Sequence, residues 1–359
     1  MHPEAVNQAR PAMPPLLRAR LLTILIAALG TAAFSVLGLP LPFLFGPMAA
    51  CLIAALAGWR LAGFGQVSIG ARSILGVAVG ASITPALVGK LPQMAATIAV
   101  IPLYIALIGA IGVPFFRRVC GFDPVTAYYA AMPGGLQDMV AFGQEAGADV
   151  RALSLVHATR VLIVVALAPV LLTGLYGVSL SEPIGEPAAS MDPAEMALMA
   201  AAALGGWKLG ERIGLFGAAI IGPLIVTAVL AMTGLISARP PAEAILAAQF
   251  FIGMGIGVYY VGVTLRELRV DVAAGTAFAV VLALLAAIIT AAVTLIAGAP
   301  PVEAFLAFAP GGQAEMTVLA IVVGADLGFV VVHHILRIVL VITGAPVAAR
   351  LIGIRGRDP

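Results

Sequence analysis

His157 and Arg160 stand three residues apart in apolar sequence, and His334 and Arg337 repeat the pair 177 residues later. On a helix that spacing puts each histidine and arginine on one face. Asp138 and Glu315 are also 177 residues apart, and each follows a helix-breaking triplet, Pro133-Gly134-Gly135 or Pro310-Gly311-Gly312. Gln137 and Gln313 add amide groups beside the triplets. Guanidinium groups and the free N–H groups of a helix start bind anions. Carboxylates take up H+ or help to bind Na+, and imidazole titrates near neutrality and so can carry a proton. Each group also has a structural alternative. The acids can cap the helices that follow the breaks and pair with Arg160 and Arg337, and the histidines can be hydrogen-bonded packing residues.

The surroundings make the breaks costly. The chain has 359 residues, of which 62% are hydrophobic and 10% charged; soluble domains carry about 25% charged residues. Apolar runs long enough to cross a bilayer recur along its length. In hydrocarbon, irregular backbone survives only where protein buries it or where it lines a wet cavity. Pro124 to Met132 is nine residues, a helix of about 13 Å, which ends near the middle of a ~30 Å core. The proline has no N–H, and the glycines admit tight turns and close backbone approach. Arg160 lies nine residues beyond Arg151, about 14 Å along its helix, a depth at which an arginine is costly and usually marks function.

These residues belong to a unit used twice. Gly121 to Val170 aligns without a gap on Gly298 to Val347, and Gly76 and Gly80 correspond to Gly253 and Gly257. Gly46-Pro47 corresponds to Gly222-Pro223 at an offset of 176. The expected organisation is a flexible tail over 1–17, a membrane repeat over 18–176, an outer linker over 177–194, a second repeat over 195–350 and a tail over 351–359. Spans are expected near 20–38, 42–59, 66–88, 93–116 and 152–174, with partners near 195–213, 215–236, 243–264, 272–297 and 328–349. The span after Arg18 and Arg20 is read as uncleaved, because the repeat gives it a partner.

Positive charge decides the topology. If the broken segments, 124–146 and 301–323, are re-entrant hairpins, each repeat has five crossings and the halves are inverted. The cytoplasmic side then holds fourteen Lys and Arg residues and the outer side two; if the segments cross fully, the split is ten to six. The first distribution fits the positive-inside rule better. The fold expected is therefore an all-α polytopic membrane protein. It has two inverted repeats of five transmembrane helices, each with a re-entrant or broken Pro-Gly-Gly helix, and both ends are cytoplasmic.

Other residues get quieter roles. Asp149 and Asp326, in matching Gly-Ala-Asp triplets, are expected N-caps. Gly76-x-x-x-Gly80 and its repeat are close-packing surfaces beside the hairpins. Arg72 snorkels to the cytoplasm; its repeat partner is Gln249. Cys51 and Cys120 form no disulfide framework or metal motif. The histidines number four, too few and too scattered to gather a copper or iron centre, so no metal site and no enzyme activity are expected.

The paired Pro-Gly-Gly segments, each followed by an acid and a methionine, the Gly-Pro spans and the twofold repeat resemble the AbrB-type bacterial inner-membrane family. The segment Ala309 to Met316 follows that family's pattern, whereas Asp138 stands where a Glu is common. The resemblance covers roughly residues 20–350 and implies a duplicated membrane unit in the bacterial inner membrane. Members carry provisional labels as ammonia monooxygenases or regulators of gene expression. The residues themselves point to an ion-coupled secondary transporter of a small organic anion, the construction in which broken helices meet at the midplane. Pro133, Gly134, Gly135, Gln137, Arg160, Pro310, Gly311, Gly312, Gln313 and Arg337 would bind solute. Asp138, Glu315, His157 and His334 would couple it to H+ or Na+. The partners expected are the solute and the lipid bilayer, without nucleic acid or another cofactor; a homo-oligomer is left open. The alternative is a membrane protein that regulates gene expression indirectly, as a sensor.

Overall fold

The computed structural model describes residues 14–180, 184–215 and 217–354. Most of the tail over 1–17, part of the linker with Glu182, and residues 355–359 lie outside the described residues. Every regular element within them is helical. The first half comprises α1 (Pro15–Val36), α2 (Pro42–Leu56), α3 (Gln66–Gly80), α4 (Pro85–Pro114), α5 (Pro124–Ala131), α6 (Leu136–Glu145) and α7 (Val150–Tyr176). The second half repeats the series as α8 (Pro193–Arg212), α9 (Ala218–Met232), α10 (Ala242–Val258), α11 (Ala273–Ala297), α12 (Pro301–Phe308), α13 (Gln313–Val322) and α14 (Leu327–Leu351).

Helices stand at all ten expected places, but they are unequal. Five are long and apolar enough to cross a membrane: α1, α4 with its continuation to Val119, α7, α11 with its lead-in from Leu265, and α14. The apolar helices α2, α3, α9 and α10 have only 15 to 17 residues, about 22–26 Å at 1.5 Å per residue. The single span expected over 66–88 stops at Gly80 because Pro85 opens a new helix. Thr84 caps that helix, its Oγ1 accepting from the Leu87 N–H at 3.4 Å. The next helix therefore begins at Pro85 rather than near residue 93.

Packing mixes the halves. In one group α1–α3 lie among α8–α10, with α2 against α10 and α3 against α9. In the other, α4–α7 lie among α11–α14. The glycine pairs explain the first group's close crossings. A Cβ on Gly80 would lie 2.6 Å from the Leu224 carbonyl oxygen, and one on Gly257 would lie 2.6 Å from the Cys51 Cβ. These surfaces face the Gly-Pro helices of the opposite half rather than the broken helices, a correction to the sequence expectation. Small residues allow such backbone approach.

Each broken segment is tied at its root. The Asp149 N–H donates to Thr126 Oγ1 at 2.8 Å, and the Asp326 N–H donates to Glu303 Oε1 at 3.2 Å. Asp149 and Asp326 cap α7 and α14 as expected, each Oδ1 accepting two backbone N–H groups. The first root lies by the far end of α4, where Cys120, Asp123, Asp149 and Arg151 line one cavity. The second lies by the start of α4, where Lys90 pairs with Asp326 at 3.6 Å.

Candidate functional site

The breaks follow from local chemistry. Asp123 Oδ1 caps α5 by accepting from Val125 and Thr126, with Pro124 at the first helical position. The helix stops at Met132, which is extended (φ −66°, ψ 133°), as a residue before proline tends to be. Ala309, before Pro310, ends α12 the same way at φ −57°, ψ 130°. Gly135 and Gly312 are extended too, and from them α6 and α13 start.

Neither triplet uses glycine for left-handed backbone, since none of the four glycines of the two triplets has positive φ. They are needed for room. A Cβ on Gly134 would lie 2.6 Å from Met139 Cε, and one on Gly311 would lie 2.6 Å from Met316 Cε. Cβ atoms on Gly135 and Gly312 would collide with the carboxylates of Asp138 and Glu315. Each methionine thus fills the space under the first glycine, and each acid folds back over the second.

Stopping a helix inside the protein orphans its last carbonyls. The histidines each satisfy one of them, and the arginines hold the carbonyls of the turn that follows. His157 Nε2 donates to the Tyr129 carbonyl at 3.1 Å, and His334 Nε2 donates to that of Leu306 at 2.9 Å. Arg160 donates to the carbonyls of Met132 and Gly134 at 3.2 and 2.7 Å. Arg337 donates to those of Ala309 and Gly311 at 3.0 and 3.2 Å. Tyr104 adds a bond to the Phe308 carbonyl at 2.8 Å. All four His and Arg side chains are buried. Of the roles open to Asp138 and Glu315, the pairing with these arginines does not form; among the described residues the ion pairs are Lys90–Asp326, Arg151–Glu267 and Lys208–Glu211.

The acids instead meet each other's neighbourhood. Gly135, Gln137 and Asp138 at the start of α6, and Gly312, Gln313 and Glu315 at the start of α13, line one cavity of about 140 Å³. It lies between the two helix groups, with α3, α9 and α10 contributing from the first. Pro133, Gly134, Pro310, Gly311, Arg160, Arg337, His157 and His334 lie in the scaffold behind it and are not among its lining residues. Arg72 is among them, donating to Gln137 Oε1 at 3.4 Å. Sequence reasoning assigned Arg72 to the cytoplasmic surface because it lies close to the start of its span and can snorkel, and its repeat partner Gln249 gave no support for a shared role. The signal that could have found it is a solitary charge in the apolar run from Val67 to Val79.

The cavity is unevenly covered. Gln313, Ala314 and Glu315 are buried, whereas Asp138 is half-buried and Gln137 exposed. Gln313 Nε2 has no hydrogen-bond partner although the residue is only 8% exposed. Two helix N-termini, an arginine and that amide supply donors; two carboxylates supply acceptors.

The family profile described as "Transition state regulatory protein AbrB" matches residues 43–353, which include both breaks and every residue of the cavity named above. The chain belongs to the AbrB family. This AbrB-family protein is 27% identical to YhjN of Bacillus subtilis (strain 168), a protein named as uncharacterized, over 92% of each chain. It is also 27% identical to an Escherichia coli (strain K12) protein named as a candidate regulator AbrB, over 89% of this chain and 92% of that one.

Proposed function

We propose that this AbrB-family protein is an ion-coupled secondary transporter of a small organic anion in the bacterial inner membrane. The observation that carries this reading is the shared cavity. Broken helices from separate halves of the chain aim their N-termini and their acids into one space. Discontinuous helices of paired repeats build solute sites in this way. The protein then works as a carrier rather than an enzyme, and H+ or Na+ taken by Asp138 and Glu315 is the coupling ion.

The roots of the broken segments support inverted, re-entrant hairpins. Thr126 with Asp149, and Glu303 with Asp326, join the entry of each segment to its exit. The two roots sit by opposite ends of α4, whose 30 residues extend about 45 Å. On this reading residues 18–176 and 195–350 form the two membrane repeats, with both ends of the chain in the cytoplasm. The interface between the two helix groups is where rocking or sliding would expose the cavity to each side in turn.

Purified protein in liposomes, given a panel of small organic anions under separate Na+ and H+ gradients, tests the proposal. Gradient-driven accumulation supports it. Absence of flux for every solute under both gradients overturns it. The regulator name of the Escherichia coli relative suits an indirect effect on gene expression that follows from moving a solute.

A further inference from the structure

The cavity's chemistry narrows the solute. We propose that Arg72 holds the carboxylate of a short monocarboxylate in this cavity; the inference rests on the transport reading above. Arg72 is the basic side chain among the described residues lining the cavity. The arginines first expected there, Arg160 and Arg337, have their terminal nitrogens committed to backbone carbonyls. Arg72 makes one hydrogen bond, to Gln137 at 3.4 Å, near the outer limit of such a bond. Its guanidinium therefore keeps donors for a carboxylate, which it suits in geometry.

Gln313 provides the independent sign of a ligand. Its Nε2 is unpartnered in a residue 8% exposed that lines the same cavity. A buried donor without an acceptor costs about 1–3 kcal/mol, and a turn of the Gln313 side chain toward the cavity would let a second oxygen of the solute satisfy it. Ile220, Ile221 and Ile256 line the same space and suit a short alkyl body.

Volume and charge set the class. A cavity of about 140 Å³ is close to the ~150 Å³ space that accepts benzene, so solutes of about six non-hydrogen atoms fit. One guanidinium faces two carboxylates, Asp138 and Glu315. With both acids protonated the guanidinium balances one solute carboxylate, and a second negative charge would have no cation to meet, so dicarboxylates are disfavoured.

Uptake of radiolabelled lactate and pyruvate, which are of that size, tests the assignment in liposomes. Unlabelled lactate and pyruvate should compete, whereas succinate, with its second charge, and benzoate, which is larger, should not. Arg72→Ala should raise KM about tenfold or more, the loss of a charge-assisted contact, with the maximal rate within about twofold; Arg72→Lys should recover part of the affinity. If Arg72→Ala yields no folded protein, the competition series on the unaltered protein decides. Equal competition by succinate or benzoate, an unchanged KM in Arg72→Ala, or saturable uptake of methylammonium in place of the acids would each overturn this inference while leaving a transporter. Absence of any flux would overturn the transport reading itself.

Discussion

Arg160 donates to the carbonyl oxygen of Gly134 at 2.7 Å, from a helix that begins well after the break it secures. Its other terminal nitrogen reaches Met132, so one side chain closes both loose ends of the turn. Arg337 does the same for Ala309 and Gly311. An orphaned buried carbonyl costs about 1–3 kcal/mol. Arg160→Ala and Arg337→Ala should therefore lower the apparent melting temperature of the detergent-solubilised protein, by more than any exposed arginine such as Arg118. Melting curves indistinguishable from the unaltered protein would remove this structural role.

The two glycines of each triplet should respond differently to an added methyl. Gly311→Ala presses on Met316, a flexible side chain in a fully buried position, whereas Gly312→Ala presses on the carboxylate of Glu315. The first should lower thermal stability by about 1–3 kcal/mol, as overpacking does. The second should leave the fold closer to intact and impair uptake, because it displaces an acid from the cavity. Stability and liposome flux measured on both variants distinguish these effects.

Proton dependence has a definite sign. With both acids ionised, Asp138 and Glu315 outweigh Arg72 by one negative charge, and an entering monoanion makes two. Each proton taken by an acid removes one, so uptake should rise as the pH on the donor side falls. Asp138→Asn and Glu315→Gln should flatten that dependence and abolish accumulation driven by a pH gradient. Accumulation driven by Na+ and indifferent to pH would assign the coupling to the metal cation instead.

Topology can be read by labelling. In a background lacking Cys51 and Cys120, Lys90→Cys and Arg151→Cys should react with a membrane-impermeant thiol reagent from opposite sides. Lys90 pairs with Asp326 at one root and Arg151 with Glu267 at 2.8 Å near the other. Reaction of both from the same side would exclude hairpins entering from opposite faces.

Much of the architecture was legible in the sequence. The repeat, the breaks, the capping roles of Asp149 and Asp326 and the acids in the first turn after each break depend on local signals, which proline, glycine and aspartate supply. The partners of Arg160 and His157 were not legible, because a backbone carbonyl leaves no mark in side-chain identity. The recurring spacing of 28 residues, from His157 to Tyr129 and from His334 to Leu306, becomes meaningful only once the hairpin is seen to fold back. The methionine after each acid marked the family resemblance but had no role in the sequence reading; its reason is the volume beneath Gly134 and Gly311. Symmetry misled at Arg72, where it argued against a role that the cavity geometry favours.

Arg72 faces the break in the first half, and the matching place in the second half holds Gln249, buried with neither amide atom bonded. Gln249 is not among the residues that line the shared cavity. Under the transport reading the cavity therefore takes its positive charge from one half alone, and a solute would meet a guanidinium beside the first break and no matching cation beside the second.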